Sequence, residues 1–145
     1  MQLQFFKRIL GLLQQILLLI LEQLRFQPKK IPIEKLAAAI KKFEGWYPGS
    51  RSFRNNNPGN LRSSKFQAGQ RDGFAFFKSC AIGQSALLWD LRQKCLGNTR
   101  TALTPESTLR DLIFTWSETD QKPYLDFVCQ ELKIGSTFKL KNFLL

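Results

Sequence analysis

The sequence predicts a mainly helical α+β fold, and three features lead to that prediction. Apolar residues recur at helical spacing in several separate stretches of the chain. A long stretch rich in Gly, Pro and Asn, residues 45–73, interrupts these patterns and is typical of loops. The segment 73–77, Gly-Phe-Ala-Phe-Phe, follows this loop and indicates a short strand or buried turn. The 145 residues suffice for one compact domain.

The first segment, residues 1–26, predicts an amphipathic helix. Phe, Ile and Leu dominate it, whereas polar residues return about every seven positions and share one narrow helical stripe. Gln14 and Gln15 keep the uninterrupted apolar run below the roughly 18 residues expected of a membrane span. Three interpretations remain open: a helix bound to an anionic membrane surface or a partner helix, an export signal, and a helix packed on the domain.

A short linker at 28–32, which begins and ends with Pro, separates region 1–30 from a predicted domain at 31–145. The first domain helix is expected at 34–43, because apolar side chains spaced four and three residues apart share one face. Gly45 provides a C-terminal stop. After the loop and the short strand, three more helical patterns are expected, at 81–96, 108–116 and 122–132.

Several residues of the domain have structural interpretations. Thr108 is suited to cap the helix that follows it, with Asp111 three residues further on. Trp89 and Trp116 lie within helical apolar patterns and are expected in the core. Asp72 is interpreted as a turn residue, because Gly follows it.

The charge balance and the absence of histidine narrow the possible functions. A formal charge of +11 favours acidic partners such as nucleic acid, anionic lipid or cell-wall polymers. Pure basic runs are no longer than pairs, so no specific nucleic acid partner is expected. Without His, a Ser-His-Asp triad, a Cys-His pair and imidazole metal sites are excluded. No metal or cofactor is expected, and carboxylate chemistry remains available for hydrolysis.

The three cysteines, Cys80, Cys95 and Cys129, form no C-x-x-C arrangement and are odd in number. They are interpreted as core thiols. A bridge between Cys80 and Cys95 is the alternative if the domain is exported.

Glu44 is the main candidate for chemistry. It ends the first domain helix and lies four residues after Ile40, so its side chain is expected on the apolar side. Apolar surroundings disfavour the ionised form of a carboxyl group, which suits a general acid. The alternative is a surface Glu paired with Lys41 or Lys42.

The segment 54–62, Arg-Asn-Asn-Asn-Pro-Gly-Asn-Leu-Arg, carries more side-chain amides than an ordinary turn requires. Two interpretations remain open. The segment is either a tightly specified loop or a row of hydrogen-bonding groups that lines a sugar cleft. In the second case, the nearby aromatic residues Trp46, Tyr47 and Phe53 would offer flat surfaces for sugar rings.

Four pieces of the sequence resemble small phage and bacterial proteins of the lytic transglycosylase and lysozyme-like superfamily. They are Phe-Glu-Gly at 43–45, Asn-Asn-Pro-Gly-Asn at 56–60, Gly-Phe-Ala-x-Phe at 73–77, and Tyr124. The resemblance extends over roughly Ile33 to Ile134. It implies a lysozyme-like domain in which a cleft separates a helical lobe from a small β lobe.

The resemblance also implies an activity, namely β-1,4 cleavage between N-acetylmuramic acid and N-acetylglucosamine in peptidoglycan. It implies a protein of the cell envelope, or one that is virion-associated or exported. Membrane association is a separate expectation, from one of the open interpretations of residues 1–26. By resemblance, the catalytic residues are Glu44 as the acid and Tyr124 beside its carboxyl group. The substrate-binding candidates are Asn56, Asn57, Asn60, Trp46, Tyr47 and Phe74.

Two departures from the better-known transglycosylases bear on the mechanism. The Gly-Leu-Met-Gln signature is absent, and no second carboxylate is assured, so chemistry with one Glu is expected. The alternatives are a non-catalytic peptidoglycan-binding or virion structural module of the same fold, and a basic nucleic-acid-binding protein.

Overall fold

A computed structural model describes residues 2–25 and 29–144. Within these ranges, the chain is mainly helical with one small two-stranded sheet, which confirms the predicted α+β, mainly α class. The elements are α1 (Gln2–Arg25), α2 (Ile33–Phe43), α3 (Arg51–Arg54), β1 (Gly69–Arg71), β2 (Phe74–Phe76), α4 (Cys80–Leu96), α5 (Leu109–Trp116), α6 (Gln121–Leu132) and a 3-10 helix (Leu140–Phe143).

The main core lies between α2, α4, α5, α6 and the 3-10 helix, and α2 packs against both α4 and α6. The apolar face predicted for α2 is confirmed, because Leu36 and Ile40 are fully buried. Burying one such side chain contributes about 1.5–3 kcal/mol relative to leaving it exposed. The other elements contribute side chains of the same kind to this core, among them Leu87, Leu91, Leu112, Ile113, Val128 and Leu140.

Local capping explains where the helices begin and end. Thr108 and Asp111 form the predicted capping box, in which each side chain accepts a hydrogen bond from the other residue's backbone N–H. Ser79 caps α4 by accepting from the Ile82 N–H. Gly45 follows α2 with a positive φ of 75°, as expected of a glycine at a helix end.

The sheet is a hairpin whose turn consists of Asp72 and Gly73. These residues have φ values of 52° and 77°, a pattern typical of the type I′ turn that joins two antiparallel strands. The turn role predicted for Asp72 is confirmed. A small second core, made of Leu61, Ala75, Phe77 and Ala86, attaches the hairpin to α4.

Helix α1 has no buried side chain between residues 4 and 21. This exposure contradicts the interpretation in which it packs on the domain. The window Gln4–Leu21 has a mean hydropathy of 1.5, so Gln14 and Gln15 do not bring it below the length and composition that can cross a membrane. Signal sequences near an N-terminus have the same length and composition, so the hydropathy alone does not separate these roles.

Two expectations about α4 are wrong. Cys80 and Cys95 lie near opposite ends of this one helix, roughly 22 Å apart at 1.5 Å per residue, so they cannot form a bridge. Trp89 faces outward with 37% of its surface exposed, because its contacts are with Phe66 and Lys65 rather than with the core. The interpretation of the cysteines as core thiols is confirmed for Cys95, which is buried, and is wrong for Cys80, which is exposed; Cys129 is partly buried.

Candidate functional site

A cleft of about 480 Å³ lies between the helical core and the loop that precedes the hairpin. Its walls come from the residue after α2, the 59–63 loop, β2, α4, the end of α5 and the segment after α5. The residues that line it are Glu44, Arg51, Gly59, Asn60, Leu61, Arg62, Ser63, Phe74, Asp90, Lys94, Thr115, Trp116, Ser117, Glu118 and Thr119.

Glu44 lies in the wall of this cleft with its carboxyl group held at both oxygens. The Tyr124 hydroxyl donates a hydrogen bond to Oε1 at 3.0 Å, and the Asn60 amide Nδ2 donates one to Oε2 at 2.8 Å. The backbone N–H of Glu44 donates to the Ile40 carbonyl, which continues the α2 ladder by one residue. Two donors far apart in sequence therefore fix the carboxyl group, while its side chain still reaches the cleft. The predicted proximity of Tyr124 to Glu44 is confirmed.

Tyr124 supports the carboxyl group from inside the protein. Its side chain is buried, and its ring stacks on Phe43 with the ring centroids 3.8 Å apart. Burial raises the pKa of the Tyr124 hydroxyl far above its usual range, and the neighbouring Glu44 carboxylate raises it further. The hydroxyl therefore remains protonated and can always donate. Because Tyr124 does not line the cleft, it is a positioning residue for Glu44.

The three predicted asparagines have different roles. Asn60 has a positive φ of 46° and aims its amide at Glu44. Asn57 is fully buried, and its side chain bonds the backbone of Leu61 and Ala75. Asn56 donates to the Phe77 carbonyl and lies outside the cleft lining. The prediction that Asn57 contacts substrate is wrong, because its buried amide is bonded twice to Leu61 within the loop and once to Ala75 of β2.

Of the aromatic residues predicted to bind substrate, one lines the cleft and two do not. Phe74 lines the cleft. Trp46 packs on Phe53 with ring centroids 5.2 Å apart, and Tyr47 is 62% exposed, but neither lines the cleft. The structure thus brings Glu44, Tyr124, Asn60 and Phe74 together around one cleft. It places Asn56, Asn57, Trp46 and Tyr47 elsewhere.

Several cleft residues were not predicted from the sequence. Asp90 and Lys94 form an ion pair at 2.5 Å with both side chains mostly buried, at the i and i+4 positions of α4. The i, i+4 spacing could have predicted an ion pair from the sequence, but only the packing of α4 determines that the pair faces the cleft. Trp116 is half-buried in the cleft wall as well as packed on the core. Arg51 and Arg62 also line the cleft and were not predicted as site residues.

A second carboxylate near the cleft has two candidates. Asp90 is engaged by Lys94, and Glu118 has an 88% exposed side chain at the edge of the cleft. Asp72 lies at the tip of the hairpin turn and does not line the cleft. Within residues 2–25 and 29–144, no group of three or more cysteine and carboxylate side chains is placed to hold a metal ion.

Comparison with protein-family models, curated proteins and solved structures gave no match. Chemically, the site offers one carboxyl group that is oriented by two neutral donors and reached from a cleft. Such an arrangement can donate a proton to a bound molecule and accept one back.

Proposed function

We propose that this chain cleaves the glycan strands of peptidoglycan at the β-1,4 bond between N-acetylmuramic acid and N-acetylglucosamine. The observation that carries the proposal is the Glu44 carboxyl group, held by Tyr124 and Asn60 in the wall of a cleft. A surface Glu paired with a neighbouring lysine, the alternative role for Glu44, does not fit these contacts.

In the first step, protonated Glu44 donates its proton to the oxygen of the scissile bond, and that bond breaks as positive charge develops on the sugar. Each carboxyl oxygen has two lone-pair positions, so Tyr124 and Asn60 occupy one each and leave room for the proton. Once the proton has left, the same two hydrogen bonds stabilise the carboxylate that remains. These two hydrogen bonds are therefore strongest to the ionised carboxylate of Glu44, which is the form that the first step generates.

In the second step, Glu44 acts as a base. Proton removal from the muramyl 6-hydroxyl gives a 1,6-anhydro product, whereas proton removal from water gives hydrolysis. Chemistry with one Glu is favoured because, of the other carboxylates that line the cleft, Asp90 is already paired with Lys94 at 2.5 Å and Glu118 has an 88% exposed side chain.

The arrangement of the domain supports a lysozyme-like fold as part of the same proposal. A group of helices and a small hairpin lie on either side of the cleft, and the candidate acid directly follows a core helix. Phe74 lines the cleft from β2.

We also propose that α1 brings the domain to an anionic membrane surface at the cell envelope. Its exposed apolar side chains are suited to the headgroup region, and Lys7 and Arg8 on its polar stripe are suited to anionic lipid. Lys29 and Lys30 follow the helix, and the whole chain carries +11. Charge complementarity therefore favours lipid over a partner helix as the occupant of this face.

Digestion of purified peptidoglycan, followed by mass analysis of the released fragments, tests the enzyme. The wild-type chain is expected to release disaccharide-containing fragments, and Glu44→Gln to lose at least about 100-fold in rate, because the amide has no proton to donate. Glu34→Gln is the matched control, since Glu34 lies on α2 and its side chain is exposed and paired with Arg92. Its rate should equal that of the wild type.

Two outcomes would contradict the proposal. Near wild-type turnover by Glu44→Gln would remove Glu44 from the acid role. Intact glycan after incubation with a folded wild-type chain that sediments with the wall would indicate a non-catalytic peptidoglycan-binding module. Fragments lighter by one water would identify the anhydro route.

A further inference from the structure

Two arginines stack on one aromatic ring inside the cleft. The Arg51 guanidinium carbon lies 3.7 Å from the centroid of the Phe74 ring, and that of Arg62 lies 4.9 Å from it. All three residues line the cleft that holds Glu44. Stacking restrains a guanidinium group while its edge N–H groups stay available to a ligand, so the pair is organised before anything binds.

Among residues 2–25 and 29–144, no carboxylate lies closer than 4.0 Å to either arginine, unlike the third cation in the cleft. Lys94 is paired with Asp90 at 2.5 Å. Arg51 instead contacts a neutral group, the Asn60 amide oxygen, at 3.4 Å. Arg62 reaches Glu118 only at 4.0 Å, and the two side chains are 66% and 88% exposed, so this pair contributes little.

From this geometry we infer that Arg51 and Arg62 bind a carboxylate of the glycan substrate and make the cleft selective for acidic over neutral glycans. The inference rests on the proposed function and adds the substrate class to it. Guanidinium groups match carboxylate oxygens with paired, charge-assisted hydrogen bonds. The muramyl lactyl group provides such a carboxylate where no peptide is attached to it, and the peptide stem provides carboxylates where one is attached, whereas chitin provides none.

The proposed carboxylate site at Arg51 lies close to Glu44, because both residues are hydrogen-bonded to Asn60. Asn60 donates to Glu44 through its amide nitrogen and accepts from Arg51 through its amide oxygen. A carboxylate bound at Arg51 would therefore lie one side chain away from the candidate acid. Acidic substrates are held in register with Glu44, while neutral glycans keep only their stacking and hydroxyl contacts.

The test is calorimetric binding in a Glu44→Gln background, which prevents turnover. The ligands are muramyl oligosaccharides with free lactyl carboxylates, peptide-bearing muramyl oligosaccharides, the lactyl ligand reduced to its alcohol, and chitin oligosaccharides of equal length. At least one acidic ligand is expected to bind about tenfold more tightly than the neutral ones. Tight binding by the free lactyl ligand assigns the carboxylate to that group. Tight binding by the peptide-bearing ligand alone assigns it to the peptide.

The variant Arg51→Gln/Arg62→Gln is expected to lose this preference while its affinity for neutral ligands changes less than about twofold. Arg110→Gln is the matched control, because Arg110 also stacks on a ring, that of Phe114 at 5.0 Å, but lies outside the cleft. Each variant is first checked for an unchanged melting temperature.

The inference is overturned if no preference for acidic ligands exists, if it survives in the double variant, or if Arg110→Gln loses as much. These outcomes are separate from the digestion assay. Cleavage without acidic preference refutes the arginine site alone, whereas acidic preference without cleavage refutes the enzyme alone. Failure to bind any of the four ligands refutes the arginine site, whereas the enzyme is decided by the digestion assay.

Discussion

At the scale of single residues, the carboxyl group of Glu44 depends on partners that are 16 and 80 positions away in the chain. Asn60 reaches it from a loop, and Tyr124 reaches it from the core side of α6. The ring of Tyr124 is fixed by Phe43, the residue directly before Glu44. One stacking contact therefore sets both the position of the hydroxyl donor and the end of the helix that carries its acceptor.

Tyr124→Phe is expected to lower kcat about tenfold and to change KM little. A hydrogen bond to a charged group contributes about 1.5 kcal/mol, and the ring and its stacking on Phe43 are preserved. Steady-state kinetics on soluble glycan strands separates the two parameters. Tyr47→Phe is the control, since Tyr47 is exposed and outside the cleft. A variant that raises KM with unchanged kcat would place Tyr124 in substrate binding instead.

Asp90→Asn distinguishes chemistry with one carboxylate from chemistry with two. Because Asp90 is held by Lys94, we expect its loss to reduce the cleavage rate no more than about fivefold. Asp126→Asn is the control, because Asp126 forms the same i, i+4 pair with Lys122 on an exposed surface. A loss as large as that of Glu44→Gln, measured by the same digestion, would mean that both carboxylates take part.

At the scale of elements, α1 differs from every helix of the domain. The helices of the core bury one face each, whereas α1 exposes all its described side chains from residue 4 to residue 21. An apolar helix in this state is expected to seek a lipid surface, because burial of its apolar area is the main favourable term available to it. Its 24 residues span about 36 Å.

Deletion of residues 1–30 is expected to leave a folded domain that digests purified peptidoglycan and no longer sediments with anionic liposomes. The reason is that the side chains of residues 4–21 of this helix are all exposed and belong to neither core of the domain. The full-length variant Lys7→Gln/Arg8→Gln tests the charge separately and should sediment less at low salt. A melting temperature lower by more than about 10 °C in the truncated chain would mean that α1 stabilises the fold.

At the scale of the whole molecule, the loop 55–60 contacts α4 at Gly83. A Cβ atom on Gly83 would lie 1.7 Å from the backbone oxygen of Asn56 and 3.1 Å from Cδ of Pro58. Backbone cannot move aside as a flexible side chain can, so this contact sets the distance between the helical core and the loop that positions Asn60. Stability and the geometry of the cleft are therefore coupled at one position.

Gly83→Ala is expected to lower the free energy of unfolding by about 2–3 kcal/mol, a fall in melting temperature of roughly 6–10 °C. Cleavage should fall with it, because Asn56 and the residues up to Asn60 must shift. Gly11→Ala is the control, since Gly11 is helical with open space around its Cβ position. If Gly83→Ala melts like the wild type, the close approach of α4 to the loop is not as described.

The local sequence predicted α1, α2, β2, α4, α5 and α6, but not α3 or the 3-10 helix. Helical periodicity, the Thr108–Asp111 capping box and the Asp72-Gly73 turn act within a few residues, so their signals are local and readable. For Glu44, four-residue spacing from Ile40 left a surface position open, and the resemblance in Phe-Glu-Gly at 43–45 and Asn-Asn-Pro-Gly-Asn at 56–60 singled it out. The weak strand β1, Gly-Gln-Arg, was not predicted, since it lacks the apolar alternation of a strand.

The contacts of each polar residue, in contrast, depend on how the elements pack together. Asn56, Asn57 and Asn60 are nearly equivalent in sequence, yet only Asn60 reaches Glu44, because the left-handed turn after Gly59 aims its amide there. Trp89 faces solvent although its spacing is helical, because α4 is covered on its other face. Arg51 and Arg62 meet at Phe74 only after the loop folds onto the hairpin. Such contacts join residues distant in sequence, and local spacing carries no information about them, whereas packing determines them.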